Sequence, residues 1–480
     1  TNLDAVSQEF RLASNNNEKV NWLVGAYYYQ EDLAYDADVI WGPMWRPLMD
    51  IFTAQQTGGL ASLAGVGAIF NVPSSQILQA GTGSIVSGTQ DTETTTFFAQ
   101  VDINLTDKLS AILGASYIED DKKATLSELN TDVFSQLDFV GAGTLQYIQA
   151  GFPPATAAAL AGDPATNPLL LFQGLQFLNQ LVAIPNAAES GQSLDDNVDY
   201  TAKLTYLIND NVSVYGGIAT GFKSSAWNLT GNSLPSTSEI AALAAAGTPV
   251  PPNTSPGQRY ARPESAEVFE LGMKMRLPSG YLNITAFKQE IEDFQSNVFV
   301  SSGFILANAG LQSSEGFEFD LLLSPVPSID ITFGGLVMDS NYDSFVGADT
   351  SSGADMSGTK PENVHDKSFT SAITYNWSQG QTDGYVRLNH LYSGPTWIRL
   401  DPADNDVMCA AGFCQKTKDT LNFSAGITMG NLDIILYGNN INDDEYLTST
   451  FPEVGDPLAS SFNGYPNAPK TYGITFNYSF

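Results

Sequence analysis

The chain has 480 residues, 43% of them hydrophobic, and its 20 Lys+Arg against 52 Asp+Glu leave a net charge of −32. No run of 18 or more apolar residues occurs, which excludes membrane-spanning helices; spanning strands escape that test because only alternate residues meet lipid. The acidic balance excludes nucleic-acid binding, and 11% aromatic residues with dense β-branched runs exclude a disordered chain.

The first predicted strand lies around Asp4–Ser14 and ends in a short turn at Asn15–Lys19. Residue 1 is not Met and no leader precedes this strand, so processing or truncation is expected to have removed what came before. A long insertion follows at 43–90, with Trp41 and Trp45 at its start. Phe97, Ala99, Val101, Ile103 and Leu105 then alternate with Phe98, Gln100, Asp102 and Asn104, a period of two that reads as a strand. After a turn at Thr106–Lys108 comes the largest insertion, 123–195. Within it, residues 153–185 are expected to be helical, with Leu170, Leu171, Phe172, Leu175, Phe177, Leu178 and Leu181 on a wide apolar face. That face serves either packing on a barrel rim or a lid or partner surface.

The alternation resumes at Val198, Tyr200, Ala202, Leu204, Tyr206 and Ile208, set against Asp199, Thr201, Lys203 and Thr205. A turn at Asn209–Asn211 leads on to an insertion at 227–262, with Trp227 at its edge and a short helix expected at 239–246. Phe269, Leu271, Met273 and Met275 alternate with Glu270, Gly272, Lys274 and Arg276. Further short turns fall at Pro278–Gly280, Ser324–Ser328, Ser378–Asp383 and Gly430–Asn431, and further insertions at 346–362, 400–415 and 450–469. One tight connection near Ser301–Phe304 breaks this rhythm. Leu421, Phe423, Ala425, Ile427 and Met429 form another apolar face, and Tyr472, Ile474, Phe476, Tyr478 and Phe480 form the last.

In each strand the second face carries charges and amides that no dry core accepts unpaired. A watery lumen accepts them. The strands run to about 10 residues or more, the length of a tilted bilayer crossing. Short turns at one end and long loops at the other are the pattern of an outer-membrane, all-β antiparallel barrel spanning 1–480. About fifteen strands are visible. An odd number does not close a single-chain bacterial barrel, so a 22-stranded barrel with further strands upstream of residue 1 is expected.

Several side chains could carry chemistry. Trp41, Trp45, Trp227, Trp397 and Tyr392 lie near the long-loop strand ends, where aromatics form an interfacial girdle or stack on a sugar or aryl ligand. Cys409 and Cys414, the only cysteines, are expected to form a disulfide in an oxidising compartment. Asp401, Asp404 and Asp406, and the stretch Asn440–Glu445, offer oxygens that suit Ca²⁺ or ordinary turns. His365 and His390 have no nucleophile elbow beside them, and neither catalysis nor a cofactor is expected.

The end of the chain, YPNAPKTYGITFNYSF, resembles the terminal segment of TonB-dependent receptors, with Lys470 where an Arg is usual. LYGNNINDDEYL (436–447) is similar to that family's penultimate strand, and Asn440, Ile441, Asn442, Asp443 and Tyr446 occupy its motif positions. RPESAEVFELGMKMRL, YLNITAFKQEIEDFQ and NAGLQSSEGFEFDL (308–321) resemble its mid-barrel hairpins. ATGFKSSAWN (219–228) and SQEFRLAS (7–14) resemble further strands in the same order. The resemblance implies a nutrient importer of the siderophore, vitamin or glycan class in the Gram-negative outer membrane, driven by TonB–ExbB–ExbD through a plug. Nothing in this chain corresponds to that plug. It also implies that Tyr472, Ile474, Phe476, Tyr478 and Phe480 are read by the barrel-assembly machinery. A passive porin-like channel and a scaffold that partners a surface lipoprotein are the alternatives.

Overall fold

A computed structural model of the chain describes residues 1–14, 19–59, 61–178, 180–229, 237–248, 259–300, 303–349, 354–399, 408–452 and 461–480. Among the described residues, fifteen strands form one sheet in which each strand pairs antiparallel with the sheet strands next to it in sequence. In chain order they are β1 (Asn2–Ala13), β2 (Val20–Ile40), β3 (Gly83–Asn104), β4 (Leu109–Asn130), β5 (Gln192–Asn209), β6 (Val212–Lys223), β7 (Glu264–Leu277) and β8 (Gly280–Val300). They continue as β9 (Gly303–Val326), β10 (Ile329–Ser344), β11 (Lys367–Gln379), β12 (Thr382–Trp397), β13 (Gln415–Met429), β14 (Leu432–Asn439) and β15 (Thr471–Tyr478).

Directly opposed residues share a face, so the registers trace each face across the sheet. Phe10 lies opposite Ala26, Ala26 opposite Phe97, Phe97 opposite Tyr117, and Tyr117 opposite Val198. Towards the other edge, Leu388 meets Phe423, Phe423 meets Gly438, and Gly438 meets Tyr472. This face is apolar and bare: Phe10, Leu271 and Phe476 are 73%, 67% and 63% exposed. In water each such side chain forfeits about 1.5–3 kcal/mol of burial; in lipid the penalty disappears. The opposite face carries Gln100, Asp102, Lys203, Glu270, Lys274, Arg387 and Asn422, as a wetted lumen requires. There Lys203 Nζ sits 3.9 Å from the centre of the Tyr215 ring.

Glycine makes room for that ring. Gly272 is the cross-strand partner of Tyr215, and a Cβ at position 272 would lie 2.3 Å from the Tyr215 ring. Gly426 does the same for Tyr385.

The strands outrun the apolar band. In β3 the outward residues Ile103, Val101, Ala99 and Phe97 give way to Thr95, Glu93 and Asp91. In β4 Leu113, Ala115 and Tyr117 give way to Glu119, Asp121 and Lys123. The ladder nonetheless continues, since β2 and β3 stay paired from Val20↔Ile103 to Ile40↔Gly83. The insertions are therefore shorter at their strand ends than expected: 41–82 instead of 43–90, and 131–191 instead of 123–195. Above the band both faces are wet, so the period-two signal fades while backbone pairing persists.

Residues 153–185 do not form one helix. They give a short helix, Pro154–Ala161, then a 3₁₀ segment, Pro168–Leu175, and irregular chain. Pro164 and Pro168 remove backbone donors, and Gly162 and Gly174 weaken the turns between. Three further helices arise in these loops, Trp45–Thr57, Leu63–Ile69 and Phe139–Gln149. The last two are capped by Ser62 Oγ, which accepts from Gly65 N, and by Asp138 Oδ1, which accepts from Gly141 N at 2.8 Å. The two loops share one core in which Met49, Leu63, Ile77, Phe134, Phe139 and Phe172 are buried. Arg46 ties it together, donating to Ser74 O at 2.8 Å and Ile77 O at 3.0 Å. The expected short helix at 239–246 is observed at Thr237–Ala245. No helix among the described residues is long and apolar enough to cross a membrane.

Candidate ligand site

At the long-loop end, odd positions of β2 and even positions of β3 and β4 face the lumen, which brings Leu33, Tyr35, Gln90 and Lys122 onto one wall. Beyond Lys223 the chain leaves β6 and crosses this wall as the segment Ser224–Leu229. Side chains of the wall hold it. Lys122 Nζ donates to Ser224 Oγ and to Ser225 O, the latter at 2.9 Å. Asp195 Oδ2 accepts from Ser225 N at 2.9 Å and Ser225 Oγ at 2.5 Å. Gln295 Nε2 donates to Ser224 O at 2.8 Å, and Trp227 Nε1 donates to Ser193 Oγ at 3.3 Å. Between segment and wall lies a cavity of about 490 Å³ bordered by Leu33, Tyr35, Lys122, Lys223, Trp227 and Leu229. That volume is within the ordinary range for small-molecule sites, about 300–1,000 Å³.

The largest-loop insertion closes the roof. Leu181 and Ile184 pack with Ala124, Leu126 and Leu229, and Leu33, Tyr35 and Trp227 lie against that cluster. A buried ion pair fixes this loop to the segment: Arg259, fully buried, donates through Nε to Glu189 Oε1 at 2.9 Å, and through its other nitrogens to Glu189 Oε2 and Val182 O. Asn228 N donates to Arg259 O at 2.8 Å, and the Trp227 and Tyr260 rings sit 5.0 Å apart. Burial lowers the Arg259 guanidinium to about 10, which leaves it charged at neutral pH.

The five aromatics singled out in the sequence are not gathered together. Trp41 and Trp45 stack on each other at 4.6 Å inside the loop core, with Trp45 edge-on to Phe177 at 5.2 Å. Tyr392 is on the lipid face, at the end of a row with Phe369, Phe333 and Phe319. Trp397 closes β12, and its carbonyl accepts from Asn363 N at 2.9 Å. Only Trp227 borders the cavity.

Cys409 and Cys414 are disulfide-bonded. Asp401, Asp404 and Asp406 lie outside the described residues. In the Asn440–Glu445 stretch three side-chain oxygens serve backbone donors, Asn440 Oδ1 accepting from Asp444 N at 2.8 Å, Asn442 Oδ1 from Leu421 N at 2.9 Å and Asp444 Oδ2 from Asp419 N at 2.8 Å, while Asp443 Oδ2 accepts from Lys470 Nζ at 2.6 Å. Among the described residues no group of three or more His, Cys, Asp or Glu is placed to hold a metal. His390 faces outward, 2.6 Å from Asp419, and His365 Nδ1 bonds Gly394 O, with burial lowering its pKa below the usual 6.5.

Sequence reasoning missed Tyr35, Asp195 and the Arg259–Glu189 pair. Each depends on a contact between segments far apart in the chain, and no local pattern announces it.

The family described as TonB dependent receptor-like, beta-barrel, matches residues 3–441. Among solved structures, the ferric yersiniabactin uptake receptor FyuA from Yersinia pestis is 16% identical with a TM-score of 0.63, over 100% of this chain and 54% of that one. The siderophore receptor PiuA from Acinetobacter baumannii is 17% identical with a TM-score of 0.57, over 99% and 56%. The copper transporter OprC is 10% identical with a TM-score of 0.54, over 100% and 57%. The chain thus spans about half the length of these structures. No curated protein matches its sequence. With its lipid-facing band, polar lumen face, uneven loops and a family match over most of its length, the chain belongs to the TonB-dependent receptors, as a β-barrel of the Gram-negative outer membrane.

Proposed function

We propose that this chain is the barrel part of an importer that captures a scarce solute at its extracellular mouth and passes it inward through a plug moved by TonB–ExbB–ExbD. The observation that carries this reading is the family match over residues 3–441 on a lumen face lined with charges and amides. The cavity beside Trp227 is where the solute is first held. Import is expected to stop in a strain lacking TonB and to return on complementation. Uptake at the parental rate in the deleted strain overturns the reading and makes the barrel a passive channel.

The outward aromatics Tyr472, Phe476, Tyr478 and Phe480 are proposed to serve the barrel-assembly machinery as well as the lipid contact. Their exposure, 63% for Phe476 and 59% for Tyr478, supports a surface open to both.

A further inference from the structure

Resting on the import reading above, we infer that the Trp227 cavity takes the ring portion of an uncharged aromatic solute. The first support is charge. Both ammonium groups at the cavity are already matched: Lys122 with Asp120 at 2.6 Å and Lys223 with Glu264 at 3.6 Å. Lys122 has its remaining hydrogens on Ser224 and Ser225. An anionic ligand would have to displace the partners of Lys122, the more buried of the two, and enter a protein of charge −32.

The second support is the approach. Across 131–191, the loop that closes the roof, and 41–82, which shares its core, the charged residues are Arg46, Asp50, Asp132, Asp138, Asp163 and Glu189 alone. Of these, Asp132 and Glu189 are buried and Arg46 is bonded to Asp50 and two carbonyls. Leu181 and Ile184 meet the cavity's own Leu229. A ligand arriving here meets little that rewards charge and much that rewards apolar contact.

The third support is shape. Trp227 is held by its indole N–H on Ser193 Oγ and by Tyr260, 5.0 Å away ring to ring, so the ring that borders the cavity is fixed before a ligand arrives. Leu33 and Leu229 flank it. Polar residues, among them Gln90, Lys122, Ser225 and Gln295, also border the cavity, but most of the surface it exposes is apolar, and Lys122, Ser225 and Gln295 already hold the segment to the wall; a flat aryl group needs fewer free polar partners than a sugar.

The test is equilibrium binding to the purified protein in detergent, with 4,4′-biphenol, biphenyl-4,4′-dicarboxylate and cellobiose as probes. Biphenol is expected to bind, and the dicarboxylate and cellobiose to bind at least about tenfold more weakly. Trp227→Ala is expected to weaken biphenol by about tenfold, equivalent to 1.4 kcal/mol, while Trp227→Phe, which keeps a ring, stays within about threefold. The Asn228 amide, which donates to Arg259 O, reports whether the segment stays in place: hydrogen exchange there unchanged in Trp227→Ala separates lost stacking from a collapsed segment. Absent biphenol binding, equal or tighter binding of either other probe, or a Trp227→Ala variant with unchanged affinity overturns the inference. Binding to purified protein needs no TonB, so these outcomes are independent of the uptake test.

Discussion

Arg259 and Glu189 show how one pair of residues sets a site neither of them touches. Removing a partner strands a buried charge, at a cost of about 3–5 kcal/mol. The guanidinium stays protonated at neutral pH even after burial lowers it to about 10. Glu189→Ala is therefore expected to free the Ser224–Leu229 segment, read as at least about tenfold faster hydrogen exchange at the Asn228 amide, which donates to Arg259 O. The double change Arg259→Met with Glu189→Met leaves no stranded charge and is expected to exchange more slowly than Glu189→Ala alone. Unchanged exchange in the single variant would show that the pair does not hold the segment.

At the scale of strands, side-chain height along the barrel axis decides tolerance. Leu271 lies in the apolar band and Glu119 just above it, both on the outward face. Leu271→Arg should cost about 2–4 kcal/mol and Glu119→Arg about 0–1, the depth dependence of charges on a lipid-facing barrel surface. Urea unfolding in lipid vesicles distinguishes them, and equal losses at both positions would contradict the assigned band. These strands were legible from the chain because lipid and lumen impose opposite demands on neighbouring residues, as at Phe269–Arg276 and Thr471–Phe480. The helix Trp45–Thr57 also left a trace: Trp45, Leu48, Met49 and Phe52 follow helical spacing. One amphipathic stretch of this length inside a long insertion between strands does not stand out against the period-two pattern around it. The helix expected over 153–185 is broken because Pro164, Pro168, Gly162 and Gly174 interrupt it, whatever its apolar content. The cavity was legible only through Trp227, since Asp195, Arg259 and Glu189 gain meaning only once β5 and two distant loops meet.

Across the whole molecule, stability is shared unequally between a barrel with continuous ladders and loops held by local devices. The Cys409–Cys414 bridge is such a device. Its sequence separation of 5 encloses no part of any strand, and a loop that small contributes about 2 kcal/mol of chain-entropy restriction. Reduction is expected to leave the temperature of the barrel's heat-induced gel-mobility shift unchanged, while proteases gain access near residues 408–414. A lower shift temperature after reduction would mean that the bridge supports the barrel itself.

The overreach of β2 and β3 has a further consequence. From Tyr28, near the top of the greasy belt, to Ile40 the hairpin climbs twelve more residues, on the order of 30 Å once tilt is allowed for. The helical cap is thus carried on a stiff pedestal, clear of the headgroup zone. A solute can exchange with the surrounding fluid there without first partitioning into the membrane surface.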